Sequence, residues 1–316
     1  MKLRLRKRIL EGLRRAQTDI VLLVAFTFIA SSSAFAQLAI FQDEDDVITP
    51  TFRYDVIKQN KISSITIAFE YKPDGAGIIN DGNVKYYRFD SLYRLAESYF
   101  TVRESRDSWD TVRSLYYYDK QGHLIIKRTD EGNFFDTWYY RWYDDGSMKR
   151  RAHVHEVPAA SSSLTDFRIG SQTILSADSF AYTPYPKQLQ RFGYNEEHKI
   201  YERTISYFDD KHRLTSRNFH YEVGWLYSQV DVKYDDKNRI SDYTFTGNLN
   251  GDTYRTTSIT YDANGGIASE KLFDKFKQTD NIEFMYDKDS GLITNQLDRD
   301  FVKLTINISR FSYEYR

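Results

Sequence analysis

The 316-residue chain has no cysteine, only five prolines and only three methionines. The absence of cysteine excludes disulfides, thiolate metal sites and a lipid anchor on cysteine. A chain of this length buries a sizeable core without disulfide staples. No long apolar run follows residue 36, so no membrane-spanning helix is expected beyond that point. The sequence also lacks a Gly-x-Ser-x-Gly nucleophile elbow and a phosphate loop. It is rich instead in aromatics, with 26 tyrosines and 21 phenylalanines, a strand-forming composition.

Residues 1–36 read as a secretory signal. The stretch MKLRLRKRILEGLRR carries seven Lys or Arg residues and precedes the apolar run Ile20–Ala30. Eleven helical residues rise about 16 Å, short of a hydrocarbon core of about 30 Å. Ala34 and Ala36 form a small-x-small site, with cleavage expected before Gln37. An uncleaved anchor and a twin-arginine signal at Arg14-Arg15 are the alternatives. Taking away the signal's seven basic and two acidic residues leaves 37 basic and 43 acidic, a formal charge of −6. That sign argues against nucleic acid, whose phosphates require a basic stripe. The acidic run at 42–46 lies near the new N-terminus and reads as a solvated end.

One pattern recurs. YDKQGHL begins at Tyr118, YNEEHKI at Tyr194, FDDKHRL at Phe208, YDDKNRI at Tyr234 and YDANGGI at Tyr261, with looser copies at Phe89 and Tyr286. Six places after each aromatic stands an aliphatic: Leu124, Ile200, Leu214, Ile240, Ile267, Leu95 and Leu292. YDDGSM at Tyr143 is one residue short, and YKPDG at Tyr71 is a degenerate copy. A type I turn takes Asp or Asn first and Gly fourth, and in a three-residue hairpin loop that Gly is left-handed. The aromatic and the aliphatic then face each other across two strands, a pair worth roughly 0.2–1 kcal/mol. His198, His212 and Asn238 fill the Gly position in three copies, and residue types enriched in the left-handed region suit it. His123 follows a turn Gly and receives no special role.

Successive copies fall about 25–27 residues apart, two strands per step. DFRIGSQTIL at 166–175 is the expected eroded copy between Tyr143 and Tyr194. The fold expected is all-β, an antiparallel meander of hairpins in an open or curved sheet. Residues 37–316 form it, with a flexible connection and a subdivision near 157–166, and residues 301–316 supply the terminal pair. The repeat resembles the YD repeat of RHS-type proteins across most of residues 85–295, and MORN-like repeats less well. The resemblance implies β-repeat architecture and life outside the cytoplasm: periplasmic, cell-surface or extracellular. It carries over no catalytic residue. The chain departs from the large RHS proteins in being far shorter, with a strand pattern expected to run to the last residue and no space for the toxic C-terminal domain they enclose.

Sites are sparse. His153 and His155 share a strand face and are the best metal candidates, without a local third ligand. Trp138, Tyr140 and Trp142 share a face that the period of two places opposite Tyr143, taken as the repeat aromatic. An exposed row of this kind suits stacking on sugars or on a partner protein, and a covering second layer would make it core instead. The function expected is non-enzymatic binding or scaffolding, without a cofactor. The alternatives are a carboxylate-dependent glycan hydrolase and a small shell-type partner of a secreted toxin. Edge strands leave self-association open.

Overall fold

The computed structural model describes residues 54–316 apart from 106–107, 160–167, 223 and 249–252, and its side chains outside 54–55 and 102–110. The signal at 1–36, the acidic run at 42–46 and most of the 157–166 connection lie outside the described residues. Tyr54–Arg316 forms one compact unit.

A one-and-a-half-turn helix, α1 (Tyr54–Gln59), leads into eighteen strands. They are β1 (Ile62–Pro73), β2 (Ile79–Phe89), β3 (Leu95–Ser105), β4 (Ser108–Tyr118), β5 (Leu124–Asp130), β6 (Phe135–Trp142), β7 (Met148–Pro158), β8 (Ile169–Tyr185) and β9 (Gln188–Tyr194). The second half comprises β10 (Ile200–Phe208), β11 (Leu214–Tyr221), β12 (Tyr227–Tyr234), β13 (Ile240–Gly247), β14 (Thr253–Tyr261), β15 (Ile267–Asp274), β16 (Lys277–Tyr286), β17 (Ile293–Asp300) and β18 (Thr305–Tyr315). Each strand pairs antiparallel with its successor, and β18 pairs with β1 from Thr305↔Pro73 to Tyr315↔Ile62. The sheet is therefore closed, not open or merely curved. Closure satisfies the backbone groups that two free edges would expose. It also removes the edge strands on which self-association was expected to depend.

Antiparallel order sends alternate connections to opposite ends of the ring. The repeat turns at Phe89, Tyr118, Trp142, Phe208, Tyr234, Tyr261 and Tyr286 all lie at one end. The copy at Tyr194 joins β9 to β10 and lies at the other, because three strands separate it from the turn at Trp142. The proposed copy at 166–175 is no turn in its described part: Ile169–Leu175 is the first half of the 17-residue β8.

The hairpins have the expected chemistry. In YDKQGHL the Asp119 amide donates to the His123 carbonyl (3.0 Å) and the Gly122 amide to the Asp119 carbonyl (3.2 Å). The Gly position is left-handed at Gly122 (φ 93°), Tyr93 (63°), His198 (59°), His212 (58°) and Asn238 (63°). Tyr118↔Leu124, Phe208↔Leu214 and Tyr234↔Ile240 are direct partners. Two copies are corrected. At 286 the loop is one residue longer and Tyr286 pairs with Ile293, not Leu292. The copy that looked short is complete when started one residue earlier: Trp142 pairs with Met148, and Tyr143 occupies the Asp position.

The side chains divide into two faces. Most of the buried hydrophobics, including Ile65, Leu95, Tyr140, Phe180, Leu214, Val232, Ile240 and Ile259, lie on the face of the repeat aromatics. A closed single-layer sheet crowds its concave side, so this face is the inner one. The stagger agrees. Paired residues followed from β1 climb from Ile65, near the repeat turns, to Thr173 of β8, near the opposite end. Combined with the fixed strand twist, that direction of climb turns the repeat aromatics inward. The outer face carries ion pairs, among them Glu97 with Arg88 (2.8 Å) and Arg113 (2.6 Å), and Glu70 with Arg310 (2.9 Å). It also carries Asp231, Lys233, Lys271 and Glu283. A membrane barrel shows lipid an apolar band, and charges at its midplane cost about 2–4 kcal/mol each. This exterior carries charged side chains instead.

Candidate functional site on the inner wall

The repeat builds a rigid ring on which the site rests. Four repeat tyrosines reach the aliphatic residue's carbonyl in the preceding repeat: Tyr118 to Leu95 (2.8 Å), Tyr234 to Leu214 (2.8 Å), Tyr261 to Ile240 (2.7 Å) and Tyr286 to Ile267 (2.9 Å). The Trp142 indole N–H does the same to Leu124 (2.7 Å), which explains how tryptophan replaces tyrosine there. The residue after the turn's left-handed position completes the link. Arg94, Arg213 and Arg239 each bind their own turn Asp and lie over the next repeat's ring, at 4.6, 4.3 and 4.0 Å from Tyr118, Tyr234 and Tyr261. His123 holds the same place: it contacts Asp119 (3.1 Å) and stacks on Trp142 (5.5 Å). It therefore has the structural role that the sequence reading denied it.

Trp138, Tyr140 and Trp142 lie together on the inner face of β6, the same face as the repeat aromatics and not the opposite one. The expectation failed because Tyr143 was mistaken for the repeat aromatic, which shifted the parity by one. Tyr140 is buried, while Trp138 and Trp142 are half-buried. Around Trp138 the neighbouring strands assemble an aromatic and charged row. Its ring lies parallel to His153 at 4.3 Å, and His153 Nε2 contacts the Asp136 carboxylate. The Arg151 guanidinium lies 5.6 Å from the Trp138 ring and 5.5 Å from Phe180, and binds Asp178 (2.9 Å). The Arg191 guanidinium also lies over the Phe180 ring, at 5.1 Å, and binds Glu202 and Thr204. Glu202 is 2% exposed. Tyr201 lies against Gly193 in this region, where a Cβ would come within 3.3 Å of its ring. Burial, and then Glu202 and Asp178 nearby, push its hydroxyl well above the usual phenol range.

His155 stacks on Phe134 at 4.0 Å. The two histidines are thus each packed on an aromatic ring, and among the described residues no three His, Asp or Glu side chains form a metal-holding group. The arginines of the row were not legible beforehand, since only cross-strand register brings Arg151, Phe180 and Arg191 together.

At ~4.8 Å between strands and a tilt of ~40°, a circular ring of this strand number measures about 35 Å across its backbone. Barrels of this class can enclose an aqueous interior.

No family model matches the chain, and no curated protein matches it. Solved structures do. A porin-like protein from Bacteroides uniformis superposes with a TM-score of 0.37 at 10% identity, covering 81% of this chain and 97% of that one. A porin-like protein from Bacteroides vulgatus gives 0.31 at 10% identity, covering 69% and 97%. A TcdB2–TccC3 structure gives 0.21 at 11% identity, covering 69% of this chain and 14% of that one.

Proposed function

We propose that this chain is an exported, non-enzymatic binding protein that holds an extended polypeptide or glycan against the inner row of β6–β10. The observation that carries this reading is the lattice of Trp138, Arg151, Phe180 and Arg191 on the inner wall of a closed ring. Aromatic rings offer area at low entropic cost, and the guanidiniums between them are held in place by Asp178 and Glu202. Asp136, Asp178 and Glu202 are each engaged by a neighbouring His or Arg, which favours binding over carboxylate catalysis. The charged exterior fits a protein in water, in the envelope or outside the cell, as the signal and the YD-like repeats suggest.

The test is a glycan array and a pull-down with the full chain, wild type beside Trp138→Ala/Arg151→Gln. Trp142 is left intact because it closes a repeat. The expected result is a ligand whose affinity falls at least tenfold in the double variant, a loss of about 1.4 kcal/mol or more, with an unchanged circular-dichroism spectrum. Undiminished binding by the folded variant, or no ligand in either screen, contradicts the proposal.

A further inference from the structure

The two ends of the barrel differ in chemistry. At the repeat-turn end most loop tips are polar, as in Asp119-Lys120-Gln121, Asp209-Asp210-Lys211 and Asp235-Asp236-Lys237, with Leu92, Tyr143, Tyr185 and Tyr315 as exposed exceptions. At the opposite end, four of the hairpins on either side of the β18–β1 seam present bulky apolar side chains to solvent. Trp225 between β11 and β12 is 92% exposed, Phe276 between β15 and β16 82%, Val302 and Leu304 between β17 and β18 66% and 61%, and Ile78 before β2 54%.

The backbone disfavours bulky residues at three of these positions. Gly224-Trp225 and Lys275-Phe276 have positive φ at both positions (84° and 55°, 46° and 73°), the pattern of a tight hairpin turn that favours Asn-Gly. Leu304 is also left-handed, at 56°. Bulky residues are strained in this region, and such strain concentrates at functional sites. Asn or Gly would suit each turn better, yet Trp225, Phe276 and Leu304 stand there largely exposed, Phe276 with one ring contact to Tyr254 at 5.0 Å.

We propose that this rim docks on an anionic lipid surface, with the tips of Trp225, Phe276, Val302 and Leu304 entering the headgroup layer. The tips belong to separate hairpins at one end of a ring, an arrangement that meets a plane rather than a groove. Lys72, Lys275, Lys277 and Arg299 are exposed in or beside the same hairpins, and Lys303 sits between Val302 and Leu304. The exposed acids of these loops are fewer, Asp74, Glu222 and Asp274, and Arg203 pairs with Glu222 (3.1 Å). Bulky apolar tips interleaved with lysines are the chemistry of interfacial attachment. This contact goes beyond the ligand-binding reading and uses a different part of the barrel.

Flotation of the full chain with phosphatidylcholine–phosphatidylglycerol vesicles tests it, with pure phosphatidylcholine vesicles alongside. Wild type is expected to float with the mixed vesicles and at least tenfold less with the neutral ones. Trp225→Asn/Phe276→Gly is expected to lose flotation at least tenfold while its Tm stays equal to or above wild type, because both residues suit their turns. Lys275→Gln/Lys277→Gln is expected to lose it in part. Absence of wild-type flotation, or equal flotation of the Trp225/Phe276 variant, overturns the proposal. So does light scattering that shows a dimer abolished by that variant without any vesicle binding, since a second copy would then cover the rim.

Discussion

Replacing Glu156 with alanine is expected to lower the stability of the barrel by about 3–5 kcal/mol. Glu156 lies on the outer face of β7 yet is fully buried, at 0% exposure. Arg128 Nε donates to Oε2 at 2.8 Å, as does the Thr137 hydroxyl (2.8 Å), and the Tyr139 hydroxyl donates to Oε1. Both ions are nearly dry, with Arg128's side chain 8% exposed. Burial first, and then the Glu156 carboxylate, push the Tyr139 hydroxyl up to about 12. Alanine would leave the Arg128 guanidinium without this carboxylate and two hydroxyls without this acceptor. Because the cost lies in stranded polar groups, removing both charges should be far milder. Arg128→Met/Glu156→Leu still strands the Thr137 and Tyr139 hydroxyls but no charge, and is expected to cost less than Glu156→Ala by about 1 kcal/mol or more. Urea unfolding of the three proteins followed by far-ultraviolet circular dichroism checks this. A Glu156→Ala loss under about 1 kcal/mol would show that the cluster is solvated.

Glu270→Gln is expected to stabilise the protein at pH 8 and to leave it little changed at pH 4.5. Glu270 faces inward from β15 between Ile259 and Ile282, and burial raises its pKa to about 7 from 4.5. A carboxyl with a raised folded pKa binds its proton more tightly in the native state. Its contribution to stability is intact below the unfolded pKa of about 4.5 and erodes as pH rises, levelling off above about 7. The shift corresponds to about 3 kcal/mol at most. The turn aspartates act in the opposite sense at lower pH. Partial burial disfavours the charge on Asp209 and Asp235, but the amides and guanidiniums of Arg213 and Arg239 outweigh it and lower both pKa values. Their contribution is present above the unfolded value of about 3.9 and is lost as pH falls further. Unfolding at pH 5, 6.5 and 8 therefore isolates Glu270. A gap between variant and wild type that fails to widen across that range would contradict the assignment.

What could be read from the sequence was local. The turn specifies its own hairpin, so Tyr118↔Leu124 and Tyr234↔Ile240 followed from spacing, and the left-handed His198, His212 and Asn238 from residue type. Alternation placed Trp138, Tyr140 and Trp142 on one face, but which face depended on the start of a single repeat. A tryptophan in the tyrosine's place hid that start. Closure was beyond reach because β1 and β18 are more than two hundred residues apart and carry no complementary motif. The arginines over the repeat rings were missed for a related reason. Arg94, Arg213 and Arg239 each meet their turn Asp locally, but their stacking partner belongs to the next hairpin. The inner row needed register across four strands before Trp138, Arg151, Phe180 and Arg191 became neighbours.

Both the inner row and the apolar rim depend on a closed ring, so closure is the first property to measure. The chain has no cysteine, which makes a single engineered disulfide unambiguous. Thr66 of β1 and Ser312 of β18 are direct partners on the outer face, a separation that suits a disulfide. Thr66→Cys/Ser312→Cys should oxidise within the monomer, migrate faster than its reduced form on a denaturing gel, and unfold at a higher temperature. A double variant that keeps two free thiols, or cross-links only between chains, would show the β1–β18 seam to be open and would contradict the barrel.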